Sequence, residues 1–303
     1  MNDTLTQVSR IGIIPVIAIG RADRAVPLAR ALSRGGLPAA EVTFRTAAGE
    51  EAIRRIAAEC PDVLVGAGTI LNVEQCDRAL AAGARFIVSP GYNQELVDHC
   101  REKHVPVLPG CVNASDLIRA SNSGLKTVKF FPAEASGGLT ALKALAPVFP
   151  GLTFMPTGGV NTENLTAYLD YDRIIACGGT WMVKQNLIEG ERWEEITGIC
   201  REAVRNMLGL HLCGLGIDGT DGAEAEQTAG VFASLFGLDV RTECGGCPSL
   251  TVGTRDVDRA VYHLSRQGIR FEESTRSTDG LGRTDRIELT SRLGGFAVRL
   301  VRD

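Results

Sequence analysis

Roughly the first two hundred residues repeat one pattern: a short apolar strand, a turn rich in glycine, proline or threonine, and a segment with helical periodicity. The pattern predicts eight strands, at residues 13–19, 39–44, 63–67, 86–88, 105–108, 127–131, 153–157 and 174–177. This number of alternating strands and helices predicts an α/β fold in which a parallel sheet closes into a (β/α)8 TIM barrel. The alternative, an open doubly wound sheet, needs a glycine-rich fingerprint after the first strand, and residues 19–21 provide none.

The sixth predicted strand contains a lysine among apolar residues. Lys129 stands between Val128 and Phe130, and alternation points its side chain to the same face as Thr127 and Phe131. An apolar setting disfavours the ammonium ion, and a neutral amine is the nucleophile that forms a Schiff base with a carbonyl compound. The strand therefore predicts either a Schiff-base lysine or a lysine whose amine reaches water at the strand end.

The second predicted strand also carries polar residues on one face. Val42 and Phe44 are expected to face the helices, which leaves Glu41, Thr43 and Arg45 on the inner face of the barrel. Charges in a barrel interior are costly unless they are paired or used. Glu41 and Arg45 are therefore either a structural ion pair, or a proton-transfer group and a bidentate ligand for a substrate carboxylate.

Two glycine pairs follow the last two predicted strands, at Gly158-Gly159 and Gly178-Gly179. Loops after strands 7 and 8 of such barrels commonly bind phosphate through exposed backbone N–H groups. Each pair is also compatible with a simple tight turn. Their occurrence in both expected places favours a phosphorylated substrate.

Composition limits the classes of function. The 303-residue chain has a formal net charge of −4, which argues against a nucleic-acid or anionic-membrane partner. Residues 1–10 show no signal-type segment, and no apolar run approaches the roughly 20 residues that span a bilayer. Nine scattered cysteines fit reduced thiols better than a disulfide framework. The expectation is a cytoplasmic protein.

Seven blocks of residues together resemble one known family. The chain is similar over residues 8–205 to the bacterial 2-keto-3-deoxy-6-phosphogluconate (KDPG) aldolases, which overlap with the 4-hydroxy-2-oxoglutarate (KHG) aldolases. The blocks are Glu41-Val42-Thr43-Phe44-Arg45-Thr46, Gly66-Ala67-Gly68-Thr69, Ser89-Pro90-Gly91, Leu108-Pro109-Gly110, Lys129-Phe130-Phe131-Pro132-Ala133-Glu134, Pro156-Thr157-Gly158-Gly159 and Gly178-Gly179-Thr180-Trp181.

The resemblance implies a cofactor-free, metal-independent homotrimeric aldolase that takes a small keto-acid phosphate. It would cleave KDPG to pyruvate and glyceraldehyde 3-phosphate, with side activity on KHG. It makes Lys129 the Schiff-base lysine, Glu41 the general acid/base acting through a water, and Arg45 with Thr69 the site for the pyruvate carboxylate. The remaining implied positions line the pocket or hold the phosphate: Pro90, Phe131, Gly158, Gly159, Gly178, Gly179, Thr180 and Arg21.

The pattern changes after residue 207. Residues 208–303 predict a separate small α+β domain, here called the C-terminal module, with strands at 210–217, 250–253, 286–289 and 296–301 and helices at 223–236 and 257–267. This order resembles a shortened glyoxalase-type βαβββ module. At the positions of that family's metal ligands the chain has Gly214, Ser249 and Arg299, which implies no such metal and no separate lyase activity.

A zinc site is the rival hypothesis for this module. His211 and Cys213 share one strand face, and Cys244-Gly245-Gly246-Cys247 has ligand-like spacing. Isolated CxxC pairs are common, however, and packed thiols explain them equally well.

Three functional hypotheses follow from the sequence. The first is an aldolase with a non-catalytic C-terminal module. The second is a degenerate barrel that senses a keto acid and signals through the module, and intact Lys129, Glu41 and Arg45 argue against it. The third is a two-function enzyme, which the missing metal ligands disfavour.

Overall fold

The computed structural model describes residues 3–218, 222–236, 239–243 and 248–303. The chain divides into two compact units, Met1–Met207 and Leu208–Asp303. We call the first the barrel unit and the second the C-terminal module.

The barrel unit contains eight short parallel strands. Strands β5, β4, β3, β2, β1 and β8 form one run of neighbours and β6 pairs with β7. Single backbone bridges, Gly110 to Lys129 and Thr157 to Gly178, connect the two runs at both ends. The strands are β1 (Ile13–Ile17), β2 (Ala39–Thr43), β3 (Leu64–Gly68), β4 (Ile87–Ser89), β5 (Val107–Pro109), β6 (Thr127–Phe130), β7 (Thr153–Pro156) and β8 (Cys177–Gly179).

This order closes the sheet into a barrel. Pairing of β1 with β8, with Ile13 opposite Cys177, joins the first and last strands, which an open doubly wound sheet leaves apart. The predicted (β/α)8 fold is confirmed. The eighth strand lies later than predicted and includes Gly178 and Gly179, because pairing with β1 uses backbone groups and does not require apolar side chains.

Helices alternate with these strands and cover the barrel. They are α1 (Asp3–Ile11), α2 (Ala25–Arg34), α3 (Gly49–Glu59), α4 (Val73–Ala81), α5 (Gln94–Glu102), α6 (Ala114–Asn122), α7 (Gly138–Leu145), α8 (Leu165–Leu169), α9 (Gln185–Glu189) and α10 (Trp193–Leu208). The side chains of Asn72, Asn93 and Asn113 each accept a hydrogen bond from a backbone N–H in the first turn of α4, α5 or α6. These caps begin the helices shortly after their strands, which keeps the strand-to-helix loops short.

The barrel core is apolar except on its inner face. Strands β1, β2 and β3 are buried along their whole length. The charged side chains buried within the barrel unit are Glu41 and Lys129, with 1% and 5% of their surface exposed. A charge pair inside a barrel is costly, and this directs attention to the cavity around it.

The C-terminal module is a mixed six-stranded sheet with two helices. The strand order is β10, β9, β11, β14, β13, β12. The segment from β11 to β14 contains a strand, a helix and three further strands, and β9, α11 and β10 precede it. The elements are β9 (His211–Asp218), α11 (Gly222–Phe236), β10 (Asp239–Glu243), β11 (Ser249–Thr254), α12 (Val257–Ser265), β12 (Phe271–Thr278), β13 (Thr284–Leu289) and β14 (Ala297–Arg302).

Two of these strands have no counterpart in the prediction. Strands β10 and β12 form the two edges of the sheet, and β12 reads Phe-Glu-Glu-Ser-Thr-Arg-Ser-Thr. Polar and charged side chains are typical of edge strands, so neither segment shows the apolar alternation used to predict strands. The separate α+β domain is present, and its likeness to glyoxalase-type modules stays a prediction. Within the described ranges, no helix is long and apolar enough to cross a membrane.

Candidate active site

A cavity of about 230 Å³ opens at the carboxyl ends of the barrel strands. Its lining includes every site residue predicted from the sequence except Arg21. The lining residues are Val16, Glu41, Thr43, Arg45, Thr69, Pro90, Lys129, Phe131, Thr157, Gly158, Gly159, Val160, Gly178, Gly179 and Thr180. Barrel closure therefore brings together side chains from strands that are far apart in the chain.

A buried ion pair lines this cavity. Lys129 Nζ on β6 donates a hydrogen bond to Glu41 Oε1 on β2 at 3.0 Å. Gly68 on β3 makes room for the carboxylate, since a Cβ atom there would lie 2.4 Å from Oε1. Glu41 Oε2 is buried without a hydrogen-bond partner among the described residues. The pair can pass a proton directly between amine and carboxylate, and the second carboxylate oxygen has an unused capacity to accept a hydrogen bond.

Arg45 supplies a positive charge at the same cavity. Its Nε lies 3.4 Å from Thr43 Oγ1, and that hydroxyl donates to the carbonyl of Ile17 at 2.9 Å. Among the described residues, Arg45 forms no ion pair with a carboxylate. A guanidinium placed in this way can donate two parallel hydrogen bonds to a substrate carboxylate.

Phe131 and Thr69 are two further predicted residues that line the cavity. The ring centroid of Phe131 lies 5.0 Å from Lys129 Nζ, at a distance suited to a cation–π contact. Thr69, immediately after β3, has φ of +60°, a left-handed conformation that is uncommon outside glycine. Such conformations persist where the surrounding structure holds them, and they concentrate at functional sites.

The first glycine pair forms a backbone nest on the cavity wall. Gly158 and Gly159 have φ values of +95° and +86°, which L side chains rarely adopt. The backbone N–H groups of Gly159 and Val160 have no acceptor among the described residues, and both residues line the cavity. Successive free N–H groups of this kind bind anions.

Four lining residues were not predicted as site residues: Val16, Thr43, Thr157 and Val160. Thr157 Oγ1 is buried without a hydrogen-bond partner among the described residues, and a Cβ at Gly178 would lie 2.3 Å from it. Alternation with Glu41 and Arg45 places Thr43 on the inner face, and Thr157 precedes the first glycine pair. Val16 carries no polar signal, so its place in the lining depends on barrel closure alone.

Arg21 is the one predicted site residue that does not line the cavity. Its guanidinium pairs with Asp23 two residues away, at 2.5 Å, and 64% of its side chain is exposed. The physical reason is local: a short turn at Ala22–Arg24 places Asp23 within reach, so the guanidinium already has an anion.

The described residues of the C-terminal module do not form a metal site. No group of three or more His, Cys, Asp or Glu residues in the described part of the chain could hold a metal ion. Cys244 and Cys247 lie outside the described residues. His211 Nε2 lies 3.6 Å from Asp303 Oδ1, and Cys213 Sγ lies 3.4 Å from the carbonyl of Thr251.

The three positions aligned with the metal ligands of glyoxalase-type modules carry residues that have a structural place in this sheet or have no side chain. Ser249 is buried, Gly214 has no side chain, and Arg299 pairs with Glu288 at 2.8 Å. The hypothesis of a zinc site in this module stays a prediction.

The fold and the cavity define a (β/α)8 barrel whose lysine, carboxylate and guanidinium meet at the carboxyl ends of the strands. The sequence profile of the family described as KDPG and KHG aldolase matches residues 5–199. The chain belongs to this family, as the sequence blocks predicted.

Curated relatives and solved structures agree with this membership. The chain is 46% identical over 196 residues to a 2-dehydro-3-deoxy-phosphogluconate aldolase of Treponema pallidum, a match spanning 65% of this chain and 93% of the relative. It is 42% identical over 192 residues to the KHG/KDPG aldolase of Escherichia coli K12, covering 63% and 90%.

Among solved structures, the chain matches the KDPG aldolase of Legionella pneumophila with pyruvate captured at low pH as a covalent carbinolamine intermediate. The TM-score is 0.64 at 38% identity, covering 66% of this chain and 97% of that structure.

Proposed function

We propose that this protein is a Schiff-base aldolase that cleaves KDPG to pyruvate and glyceraldehyde 3-phosphate and accepts KHG as a second substrate. The observation that carries the proposal is the buried Lys129–Glu41 pair, 3.0 Å between Nζ and Oε1, at a cavity that also holds Arg45. The named activities of the relatives support the reaction class.

The first half of the reaction forms the covalent intermediate. Glu41 takes a proton from the Lys129 ammonium, and the neutral amine attacks the C2 carbonyl carbon of the keto acid. Glu41 then returns that proton to the hydroxyl of the tetrahedral carbinolamine, which leaves as water, so that an iminium ion forms and Glu41 is a carboxylate again. Arg45 binds the neighbouring carboxylate and so fixes the carbonyl within reach of the amine.

The second half breaks the carbon–carbon bond. Glu41 accepts the proton of the C4 hydroxyl, the electrons of the C3–C4 bond move into the iminium, and the aldehyde leaves. The remaining enamine takes the proton back at C3. Water then attacks the iminium carbon, which releases pyruvate and restores the Lys129 amine.

The glycine loops supply the proposed phosphate site. The N–H groups of residues 159 and 160 offer donors to an anion, and Thr180 in the Gly178-Gly179-Thr180 segment lines the same cavity with its hydroxyl. Many proteins of this family have serine at the position of Thr180, and threonine keeps the hydroxyl. The proposal assigns both loops to the phosphate of KDPG.

The proposal for the whole molecule is a cytoplasmic homotrimer in which the barrel is catalytic and the C-terminal module is not. Metal analysis of protein purified without added metal tests the second part. We expect no stoichiometric zinc in the wild type or in Cys244→Ser. About one equivalent per chain in the wild type, lost in Cys244→Ser, would establish the zinc site instead.

The decisive experiment measures pyruvate release from KDPG and KHG side by side, coupled to lactate dehydrogenase. A strong preference for KDPG is the expected result. Comparable rates on the two substrates would contradict the phosphate assignment. No turnover of either compound, with binding of pyruvate retained, would overturn the aldolase proposal in favour of a keto-acid sensor.

A further inference from the structure

A second hydrogen-bonded pair of side chains lies outside the cavity. It lies where the loop with the first glycine pair contacts the turn that follows the Lys129 strand. Tyr168 on α8 is 1% exposed, and its hydroxyl donates to Glu134 Oε1 at 2.5 Å. Glu134 lies five residues after Lys129, in the short turn Glu134–Ser136. Neither residue lines the cavity, and the reaction scheme uses neither.

Glu134 touches the glycine loop with both its backbone and its side chain. Its N–H donates to the carbonyl of Gly158 at 3.0 Å. A Cβ added at Gly159 would lie 2.5 Å from Glu134 Cγ, so the glutamate stem packs directly on that glycine. On the other side, a Cβ at Gly138 would lie 3.1 Å from Glu134 Oε1. The side chain therefore occupies a slot whose walls are two glycines and the Tyr168 hydroxyl.

The backbone carbonyls of residues 157, 158 and 159 all accept hydrogen bonds. The carbonyl of Thr157 accepts from the N–H of Ala133 at 2.8 Å, and that of Gly158 accepts from Glu134. The carbonyl of Gly159 accepts from the side-chain amides of Asn161 and Asn164 at 3.3 and 3.2 Å. In a trans peptide the C=O and the following N–H point in opposite directions. Binding the carbonyls of Gly158 and Gly159 therefore fixes the directions of the N–H groups of residues 159 and 160.

A carboxylate next to an anion-binding loop needs a fixed position. A glutamate side chain that could rotate toward the loop would repel a bound phosphate. Burial and the hydrogen bond to Glu134 both raise the pKa of the Tyr168 hydroxyl, so it stays a donor throughout the working pH range. Tyr168 thus holds the charge of Glu134 at the outer side of the loop.

We propose that Tyr168 and Glu134 are positioning residues for phosphate recognition: their hydrogen bond sets the conformation of the glycine loop and keeps the carboxylate away from the bound anion. This inference rests on the proposed function, because it assigns the phosphate of KDPG to that loop.

The test compares KDPG with the unphosphorylated KHG in full-length variants. Tyr168→Phe removes one hydroxyl, and we expect it to raise the KM for KDPG about tenfold with little change in kcat. The kcat/KM for KHG should change less than about twofold, since the Lys129 end of the cavity is untouched. Tyr171→Phe is the matched control, because that ring contacts Lys143 instead of the loop, and it should leave both substrates unaffected.

A second pair of variants covers the case in which Tyr168→Phe fails to fold. Glu134→Gln keeps an oxygen that accepts from Tyr168, whereas Glu134→Ala removes the acceptor and the stem that packs on Gly159. We expect the KM for KDPG to stay near the wild-type value in Glu134→Gln and to rise in Glu134→Ala. Equal losses on KDPG and KHG in these variants, or an unchanged KM for KDPG in Tyr168→Phe and Glu134→Ala, would overturn the inference.

Inorganic phosphate separates this inference from the proposed function. If the wild type does not cleave KDPG but does cleave KHG, the substrate proposal fails while the loop can still be probed. Phosphate should then inhibit KHG cleavage, and its inhibition constant should rise about tenfold in Tyr168→Phe. Inhibition that is identical in wild type and variant would refute the positioning role independently of KDPG turnover.

Discussion

The barrel unit and the C-terminal module both bury a charged residue, but they pair it in different ways. In the barrel, Lys129 and Glu41 are 88 residues apart and meet inside the closed sheet. In the module, Arg259 is 6% exposed and lies 3.7 Å from Asp256, the residue that caps the same helix α12 three positions earlier. An ion pair between residues of one helix turn stabilises that turn. An ion pair between distant strands at a cavity costs free energy, because both charges lose their hydration. Such pairs are characteristic of sites where the charged groups take part in a reaction.

The comparisons with known proteins separate the same two regions. The matched residues of the family, 5–199, lie within the barrel unit, and the Treponema pallidum relative is covered over 93% of its length by 65% of this chain. The barrel unit thus corresponds to nearly the whole of that relative. This difference supports the proposal that the reaction belongs to the barrel unit and that the module is an addition to it.

The largest expected effect is the loss of Lys129. Lys129→Ala removes the amine that forms the covalent intermediate, so we expect pyruvate release to fall about 10⁴-fold or more. Borohydride should trap no pyruvate adduct in this variant. Glu41→Gln should still form the adduct but turn over about 10²–10⁴-fold more slowly. Near-normal activity in Lys129→Ala would end the assignment of the reaction to the barrel.

The next prediction compares the replacement of a glycine in the barrel with the replacement of a glycine in the module. Both effects are expected to be smaller than that of Lys129→Ala. Gly159→Ala forces a Cβ against Glu134 at φ of +86°, and we expect the KM for KDPG to rise about tenfold. Gly268→Ala at φ of +89° meets no atom within 4 Å, so only backbone strain of about 1–2 kcal/mol should lower the free energy of unfolding. Steady-state kinetics and urea unfolding measure the two effects. An activity loss in Gly268→Ala would link the module to catalysis.

Deletion of the module should change the activity less. We expect residues 1–207 alone to keep a kcat/KM for KDPG within about twofold of the full chain, because sites without shared partners contribute independently. Residues 208–303 alone should release no pyruvate. A deletion variant that is folded by circular dichroism but inactive would show that the barrel needs the module.

The smallest expected difference between the two units is in the reactivity of their thiols toward a labelling reagent. It involves no change in enzymatic activity. Burial raises the pKa of the Cys111 and Cys200 thiols in the barrel to about 12, so at pH 8 they remain protonated and unreactive. Cys213 in the module is partly exposed. A maleimide should therefore label Cys213 in the folded protein well before the two barrel cysteines, as peptide mass spectrometry will show. Equal labelling rates would mean that the barrel opens as readily as the module.

Much of the barrel could be predicted from local patterns. Strand and helix periodicities predicted all eight barrel strands, and alternation within 127–131 and 39–44 predicted that Lys129 and Glu41 face inward. The edge strands β10 and β12 could not be predicted in this way, because edge strands carry polar side chains without alternation. Arg21 shows a second limit of local patterns, since its side chain pairs with Asp23 and does not line the cavity.

The sequence by itself determined the order of the eight barrel strands, the inward faces of β2 and β6, and the family. These properties depend on neighbouring residues or on short motifs, which periodicity and spacing express directly. Only the tertiary structure decided which atoms meet: Glu41 with Lys129, the unpartnered hydroxyl of Thr157 with the cavity, and Tyr168 with Glu134. Those distances depend on closure of the barrel, because closure alone brings chain segments far apart in sequence to one end of the sheet.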